Sequence, residues 1–463
     1  MGKNDFFGDG RSDIILQNAD GSVVLWDMSG PTIVNAGLVG NPGASWSVEG
    51  TASGTTITPG SGSFTAAGSV FTISTAGVAE ENGSPLPLGG GTAQLVYYDG
   101  VVYGQDIATG EWSIFDDDGS WSRSVGPGFF GNGSSSIVMQ NADGSVVLWD
   151  MRGSTIVNAG VVGNPGTSWH VKGTGGFFPG GSTALVMQND DGSVVLWDMS
   201  GTAIVNAGLV AGPEPTWHVA GTGAFFGYGS SSIVMQNDDG SVVLWDVSGT
   251  TIVDAGLVAG PSAWQVKGTG DFFGDGNTDL VMQNTDGSVV LWDMSGSHII
   301  NAGNVGNPGA SWHVKGTGDF FGDGHTDLVM QNTDGSVVLW DMSGSHIINA
   351  GNVGNPGATW NVLDDNMRFI YGTSANETLA ATPAAPDEFV LTSLTTGSNT
   401  ISGFNPAQDM IEFSKAQFAS FTDVQAAISA NSGGAMINLP NGSSLLLPRV
   451  DPGSLHASNF ALA

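Results

Sequence analysis

The sequence predicts an all-β fold: a β-propeller of six or seven four-stranded blades, with a small inserted β module and a β-rich C-terminal domain. Three observations carry that expectation. The phrase S-V-V-L-W-D recurs six times, with its Trp at Trp26, Trp149, Trp197, Trp245, Trp292 and Trp340, and copies two to six lie 47 or 48 residues apart. A second Trp closes each unit, at Trp46, Trp169, Trp217, Trp264, Trp312 and Trp360, so twelve of the fourteen Trp belong to the repeat. Each unit also holds four short apolar runs separated by turn formers. A fixed period of this size marks a solenoid, propeller or array, and four short strands per unit make a propeller blade.

The unit that opens at Asp271 shows the elements in order. Residues 280–283 (Leu-Val-Met-Gln) are the first run, and Asp286-Gly287 then supplies a hairpin turn in which Gly takes positive φ. Residues 289–294 form the second run. Val289 and Leu291 face one way, Val290, Trp292 and Met294 the other, so both faces are covered, as between two blades. Residues 298–302 and 311–314 are the third and fourth runs, and Gly306-Asn307-Pro308-Gly309 punctuates them. Helix content should be very low. On this reading residues 1–50 are the first blade, 51–125 an insert, 126–363 five further blades and 364–463 a separate domain.

The insert breaks the period. Its phrases from Ser63, Ala93 and Glu111 read as alternating strands with tight turns, and it carries Tyr97, Tyr98, Tyr103, Trp112 and Trp121. It is a divergent seventh blade, a hairpin stack, or a sugar-binding module using exposed aromatics. It weakly resembles small β modules of secreted bacterial carbohydrate-active proteins.

Composition excludes several functions. Lys and Arg number 10 against 43 Asp and Glu, a net charge of −33. Such a chain repels phosphate backbones, so no nucleic-acid partner is expected. Without Cys there is no disulfide, thiolate nucleophile or Cys-ligated zinc. No apolar run reaches the roughly 20 residues of a membrane helix, so no membrane span is expected. The N-terminal residues lack the basic-then-apolar pattern of a Sec signal.

Three units open with D-F-F-G-D-G-x-x-D, supplying Asp5, Asp9 and Asp13; Asp271, Asp275 and Asp279; and Asp319, Asp323 and Asp327. Carboxylates spaced around a Gly turn can fold about a hard cation. The pattern F-G-D-G-x-x-D before an apolar strand resembles the FG-GAP repeat of integrin-type propellers. That resemblance, over residues 2–49 and about 126–363, implies calcium as the cofactor of these nine Asp. The third ligand position of the family is Phe7, Phe273 or Phe321 here, which removes one oxygen. The other units carry Gly128, Asn132 and Ser136; Gly176, Gly180 and Ala184; and Ala224, Tyr228 and Ser232. Their loops keep the turn without the charge.

After residue 366 Trp vanishes and Ala, Ser and Thr rise. The phrases Y-G-T-S-A-N-E-T-L, D-E-F-V-L, N-T-I-S-G-F-N-P-A-Q-D-M-I-E-F and L-H-A-S-N-F-A-L-A resemble the final domain of hemolysin-type calcium-binding proteins. This implies an uncleaved signal for the type I secretion machinery and an extracellular location. The glycine-rich nonapeptide of that class is absent.

Site candidates follow from the repeat. The first Trp set is expected to fill the space between blades. The second set, Trp46, Trp169, Trp217, Trp264, Trp312 and Trp360, lies beside the Gly/Pro loop and is the candidate sugar platform. His170, His218 and His313, each following such a Trp, join it with Tyr97 and Tyr98. His298 and His346 are expected in simple surface roles, and Asp116-Asp117-Asp118 in a turn. No H-E-x-x-H, G-x-S-x-G or P-loop occurs, and no catalytic residue is assigned. The expected function is a secreted, non-enzymatic, lectin- or adhesin-like propeller that binds glycans or cell-surface polysaccharide, with calcium. The alternatives are a polysaccharide-active enzyme using Glu80, Glu81 or Asp99, and a structural surface-matrix protein.

Overall fold

The computed structural model describes residues 4–52, 54–66, 69–86, 88, 91–98, 101–115, 119–124, 126–227, 231–284, 286–357, 360–362, 368–371, 378–380, 387–391, 397–404, 406, 409–413, 417–418, 420–455 and 459–462. Strand accounts for 59% of the chain and helix for 3%, as the short alternating runs require.

Each blade is a four-stranded antiparallel sheet with an inner, second, third and outer strand. Blade 3 is typical, with Trp169–Gly175, Ala184–Asn189, Val194–Ser200 and Ala203–Ala211 in that order. Blades 4, 5 and 6 repeat it, with inner strands Trp217–Gly223, Trp264–Gly270 and Trp312–Gly318. Blade 1 is built from both ends of the repeat. Ile14–Asn18, Val23–Ser29 and Thr32–Gly40 take Trp360–Val362 as their inner strand, with Leu16 opposite Val362.

That pairing closes the ring at six blades. Six apolar clusters fill the six gaps. Val171 with Leu185 and Met187 of blade 3 meets Val138 and Leu148 of blade 2, and the other five gaps follow the same scheme. The cluster between blades 6 and 1 joins Val329, Val337 and Leu339 to Ile14, Leu16 and Val362. The inner, second and third strands of every blade are therefore covered by neighbouring blades, whereas the outer strands leave apolar side chains such as Leu38, Val161, Leu209 and Leu257 exposed.

Polar stitches cross the same gaps. The Phe6 carbonyl in the loop of blade 1 accepts from Gly153 N in the turn of blade 2, at 2.8 Å. Phe129, Phe177, Phe225 and Phe272 repeat this around the ring, and Phe320 closes it onto Gly30 at 2.9 Å. Gly30 has φ +54° and a Cβ there would lie 2.9 Å from the Phe321 ring, so both backbone and packing call for glycine. The Phe at the third loop position thus packs between blades. On the inner strands Thr222, Thr269 and Thr317 each donate to the carbonyl of the preceding blade's Thr, at 2.8–2.9 Å.

Two expectations need correction. The first-blade boundary at residue 50 is misplaced, because Trp46–Ala52 is the inner strand of blade 2, paired with Ser136–Asn141. The insert therefore interrupts blade 2 between its inner and second strands and is not a seventh blade. It forms a five-stranded and a four-stranded sheet of its own around Phe64, Phe71, Leu95 and Phe115. Tyr98, Tyr103, Trp112 and Ile114 bury its other side against blades 2 and 3. The Tyr103 hydroxyl donates to the Gly181 carbonyl and the Ser124 hydroxyl to that of Gly180, at 2.7 Å.

The C-terminal domain alternates between two sheets. Arg368–Tyr371, Asp387–Val390, Met410–Phe413 and Phe460–Leu462 run parallel in one. Thr378–Ala380, Ser398–Ser402 and Ser444–Pro448 run parallel in the other, which the hairpin of Ile428–Asn431 and Gly434–Asn438 extends. Phe389, Ile411 and Phe413 from the first sheet share one core with Ile401, Leu445 and Leu447 from the second. This is a flattened parallel roll. One short helix, Phe421–Ala427, is N-capped by Ser420.

Candidate functional site

The topology sends the two groups of candidate residues to opposite ends of the ring. Each inner strand starts at a second-set Trp and ends at the loop that, in blades 1, 5 and 6, carries the acidic motif. The second strand returns to the Asp-Gly hairpin beside the Trp, so Trp169 lies opposite Asn189. Trp, His, hairpin and Gly/Pro loop share one end. The acidic loops, the insert's connection and the third-to-outer turns share the other.

At the Trp end, six Trp occupy equivalent half-buried positions. Each is fixed by a Gln of the preceding blade. Gln17 Nε2 donates to the Trp46 carbonyl at 2.7 Å while its Oε1 accepts from Val48 N at 3.1 Å. Gln140, Gln188, Gln236, Gln283 and Gln331 repeat both bonds on Trp169, Trp217, Trp264, Trp312 and Trp360. These bonds hold the backbone at the six Trp in one way, and each half-buried Trp packs against an inter-blade cluster.

The three His differ. His170 Nε2 lies 2.8 Å from Asp190 Oδ1 and His218 Nε2 2.6 Å from Asp238 Oδ1; the imidazoles are buried, whereas the carboxylates are about 40% exposed. In blade 6 the position of Asp190 is Thr333, and His313 has no such partner. Burial, helped by Lys315 and Lys267, pushes His313 down to about 3, so it stays neutral. The six Trp are therefore alike in backbone bonding and burial and unlike in charge setting. His298 and His346 are exposed at the starts of outer strands.

The insert does not offer the expected aromatic platform. Tyr98 is 1% exposed and half-buried Tyr97 stacks on Phe64 with ring centroids 5.8 Å apart. Trp121 packs on Phe115 at 5.2 Å. These rings are core and seam. Glu80 and Glu81 are consecutive on one strand, so they project to opposite faces and do not form a carboxylate pair. They accept from Thr72 and Ser69. Asp99, Asp116, Asp117, Asp118 and Tyr228 lie outside the described residues.

At the acidic end the first and last Asp of each motif are turned into the loop's own amides. Asp271 Oδ1 accepts from Gly274 N and Asp275 N, at 2.7 and 3.1 Å, and its Oδ2 from Gly276 N at 2.9 Å. Asp279 Oδ2 accepts from Phe272 N at 2.9 Å and Oδ1 from Met294 N at 3.0 Å. Asp5 and Asp13, and Asp319 and Asp327, repeat the pattern. The first and last Asp of each motif thus already commit carboxylate lone pairs to the loop's own amides, which leaves the middle Asp as the least committed of the three. Among the described residues no three His, Asp or Glu side chains converge as a cage. Burial pushes Asp13 and Asp279 up to about 8 and Asp327 to about 7, outweighing the amide bonds that pull them down.

No family model and no curated protein matches the sequence. The structure is similar to that of an Agrocybe aegerita lectin described for specific recognition of non-reducing terminal N-acetylglucosamine. Identity is 15%, the TM-score 0.42, and the match covers 76% of this chain and 93% of the lectin. A likeness at that level carries no functional information. Among the described residues no helix is long and apolar enough to cross a membrane.

Proposed function

We propose that this chain is a secreted, non-enzymatic propeller that binds carbohydrate, such as cell-surface polysaccharide, through the Trp end of its ring. One observation carries the reading: six half-buried Trp, with backbones held by equivalent Gln clamps, recur at one end of the ring. An indole face suits the apolar face of a sugar ring, and the neighbouring His–Asp pairs of blades 3 and 4 supply polar partners for hydroxyls. Repeated weak sites on one rigid ring sum to avidity against a repetitive polymer. The test is a glycan array with the full chain, in millimolar calcium and in chelator. Binding that Trp169→Ala and Trp217→Ala weaken at least tenfold supports the reading. Absence of binding in both conditions overturns it.

Calcium and export belong to the same proposal. Calcium would act at the acidic end, away from the Trp, stabilising blades without touching sugar. The C-terminal roll would serve the type I secretion machinery and place the protein outside the cell. Its support is the alternating parallel roll together with the resemblance to hemolysin-type domains. Deleting 364–463 should abolish export by a host that carries such a machinery; unchanged export would refute this part.

A further inference from the structure

The first and last Asp of the motif are committed to the loop's amides, the middle Asp less so, and beside it stands a fourth carboxylate that the motif omits. This is the Asp that ends S-V-V-L-W-D, at Asp27, Asp150, Asp198, Asp246, Asp293 and Asp341. It stands at the end of the third strand, under the acidic or neutral loop of its own blade.

The neutral loops of blades 2 and 3 show what this Asp bonds to; in blade 4 the corresponding loop residues 228–230 lie outside the described residues. In blade 2, Asp150 Oδ2 accepts from Asn132 Nδ2 at 3.3 Å and Oδ1 from the Ser134 hydroxyl. In blade 3, Asp198 Oδ1 accepts from the Ser182 hydroxyl. In all three acidic blades that donor is missing. Asp27 Oδ1, Asp293 Oδ1 and Asp341 Oδ1 are inaccessible to solvent and have no hydrogen-bond partner; Asp246 Oδ1 of neutral blade 4 is buried in the same way, although Asp246 makes another interaction, so the neighbouring loop carboxylate and not the buried oxygen alone sets the acidic blades apart. Asp293 and Asp341 are only 8% and 7% exposed. The loop residue that replaces Asn132 is in each case another carboxylate: Asp9, Asp275 or Asp323. An orphaned buried oxygen and a like charge beside it are two costs that one cation removes.

The third partner separates the blades. In blade 1 the Arg11 guanidinium reaches Asp9 Oδ2 at 3.4 Å and opposes the Asp9 charge at Asp27. In blade 5 the same position is neutral Asn277, bonded to Asp275. In blade 6 it is His325, whose positive charge, where present, opposes the Asp323 and Asp319 charges at Asp341, as Arg11 permanently opposes that of Asp9 in blade 1. Burial, reinforced by Asp275 in one blade and by Asp323 and Asp319 in the other, raises both Asp293 and Asp341.

We propose that blades 5 and 6 each hold one divalent cation of the calcium class, bridged by Asp275 with Asp293 and by Asp323 with Asp341. Blade 1 is already neutralised by Arg11. This deepens the calcium part of the function proposed above and does not depend on sugar binding. The donors are hard oxygens, which favours calcium over zinc. Two carboxylates completed by water make a weak site, of the order of 10⁻⁴–10⁻³ M as in extracellular modules.

Calorimetric titration of the full chain with calcium chloride tests this, with terbium emission excited through the adjacent Trp292 and Trp340 as a second readout. Asp293→Asn should lose one equivalent relative to the parent chain, and Asp293→Asn with Asp341→Asn should lose two. Asp150→Asn, in a neutral blade, should lose none. In chelator Asp293→Asn should melt above the parent, because a like charge is gone; in 10 mM calcium the order should reverse. A folded double variant that binds as many equivalents as the parent overturns the proposal, as does a parent that takes up no calcium, the orphaned oxygens then being met by water alone. Asp275→Asn, on the loop side, guards against a folding defect and should lose the same equivalent as Asp293→Asn. Sugar binding that persists in chelator leaves the lectin reading intact whatever the calcium result.

Discussion

Blades 1, 5 and 6 and blades 2, 3 and 4 share strands, register and inter-blade stitches, yet their loops are held in opposite ways. In the first group buried carboxylates collect the loop's backbone N–H groups. In the second, position 9 of the loop is Ser136, Ala184 or Ser232, and the third-strand Asp is bonded by neutral side chains in blades 2 and 3. The common elements are the Phe carbonyl to Gly N bond and the Gln clamp. The ring is therefore specified by backbone stitches and apolar gaps, and charge is a local addition that three blades omit.

The largest expected break in this comparison is with pH. Asp13 and Asp279, at about 8, and Asp327, at about 7, stand above the usual carboxylate value of about 3.8. A group whose folded value is raised binds more protons folded than unfolded between the two values. Its contribution to stability is then full below about pH 4 and is lost as pH rises toward 8. Each such group gives a slope of at most about 1.4 kcal/mol per pH unit. Urea denaturation in chelator should show stability falling from pH 5 to pH 8, and Asp279→Asn should flatten that fall. Ser136→Asn, in the neutral loop, should leave the slope unchanged. A slope equal in parent and Asp279→Asn would show that this carboxyl does not titrate in the window.

Next in size is the loss of the carboxyl itself. Asp279→Ala at pH 5 orphans Phe272 N and Met294 N, both buried partners. At about 1–3 kcal/mol for each unmet buried group, the expected loss is roughly 3 kcal/mol. Ser136→Ala removes a buried hydroxyl without a partner, so it should be neutral or slightly stabilising. Chemical denaturation of both variants reads the contrast directly. Equal losses would place the loops' stability in their turns and not in their carboxylates.

Where the blades agree, substitution should not tell them apart. Gln283→Ala in an acidic blade and Gln140→Ala in a neutral one each remove two inter-blade hydrogen bonds. Each should cost about 2 kcal/mol, since these bonds are worth roughly 1 kcal/mol apiece and one buried N–H is orphaned. A difference above about 1 kcal/mol between them would mean that the acidic loop supports the clamp.

The sequence made much of this legible and left the rest closed, for physical reasons. The Asp-Gly hairpin and the two-sided apolar run of 289–294 announced a strand pair between two blades, and both are present. The number of blades was not readable, because the ring is closed by three residues, Trp360–Val362, pairing with a strand at the other end of the repeat. The insert looked like a spacer between units, since an interruption inside a sheet and one between sheets leave the same gap in a period. An Asp that ligates and an Asp that caps its own loop have identical spacing, so spacing alone does not separate the first and last Asp of each motif, which bond the loop's amides, from the middle one. Three further signals lie in the sequence. The Asp after each first-set Trp was one. The Gln at 17, 140, 188, 236, 283 and 331 was another. The third was the coincidence of His170 with Asp190 and His218 with Asp238, where blades without a pair carry Thr or Ala.

The smallest expected effect sharpens the comparison most. Blades 1 and 5 have the same four carboxylates and differ at Arg11 against Asn277. The Arg11–Asp9 pair is exposed, 3.4 Å long and screened by solvent, so Arg11→Asn should cost less than about 1 kcal/mol in chelator. Its consequence should lie in calcium uptake. Without the guanidinium, Asp9 and Asp27 become the counterpart of Asp275 and Asp293, and the variant should bind one equivalent more than its parent. The converse, Asn277→Arg, should remove one. If Arg11→Asn leaves uptake unchanged while Asn277→Arg lowers it, blade 1 differs from blade 5 in something other than its internal cation. If both shift as expected, one side chain decides whether a blade carries its own counter-charge or takes it from solution.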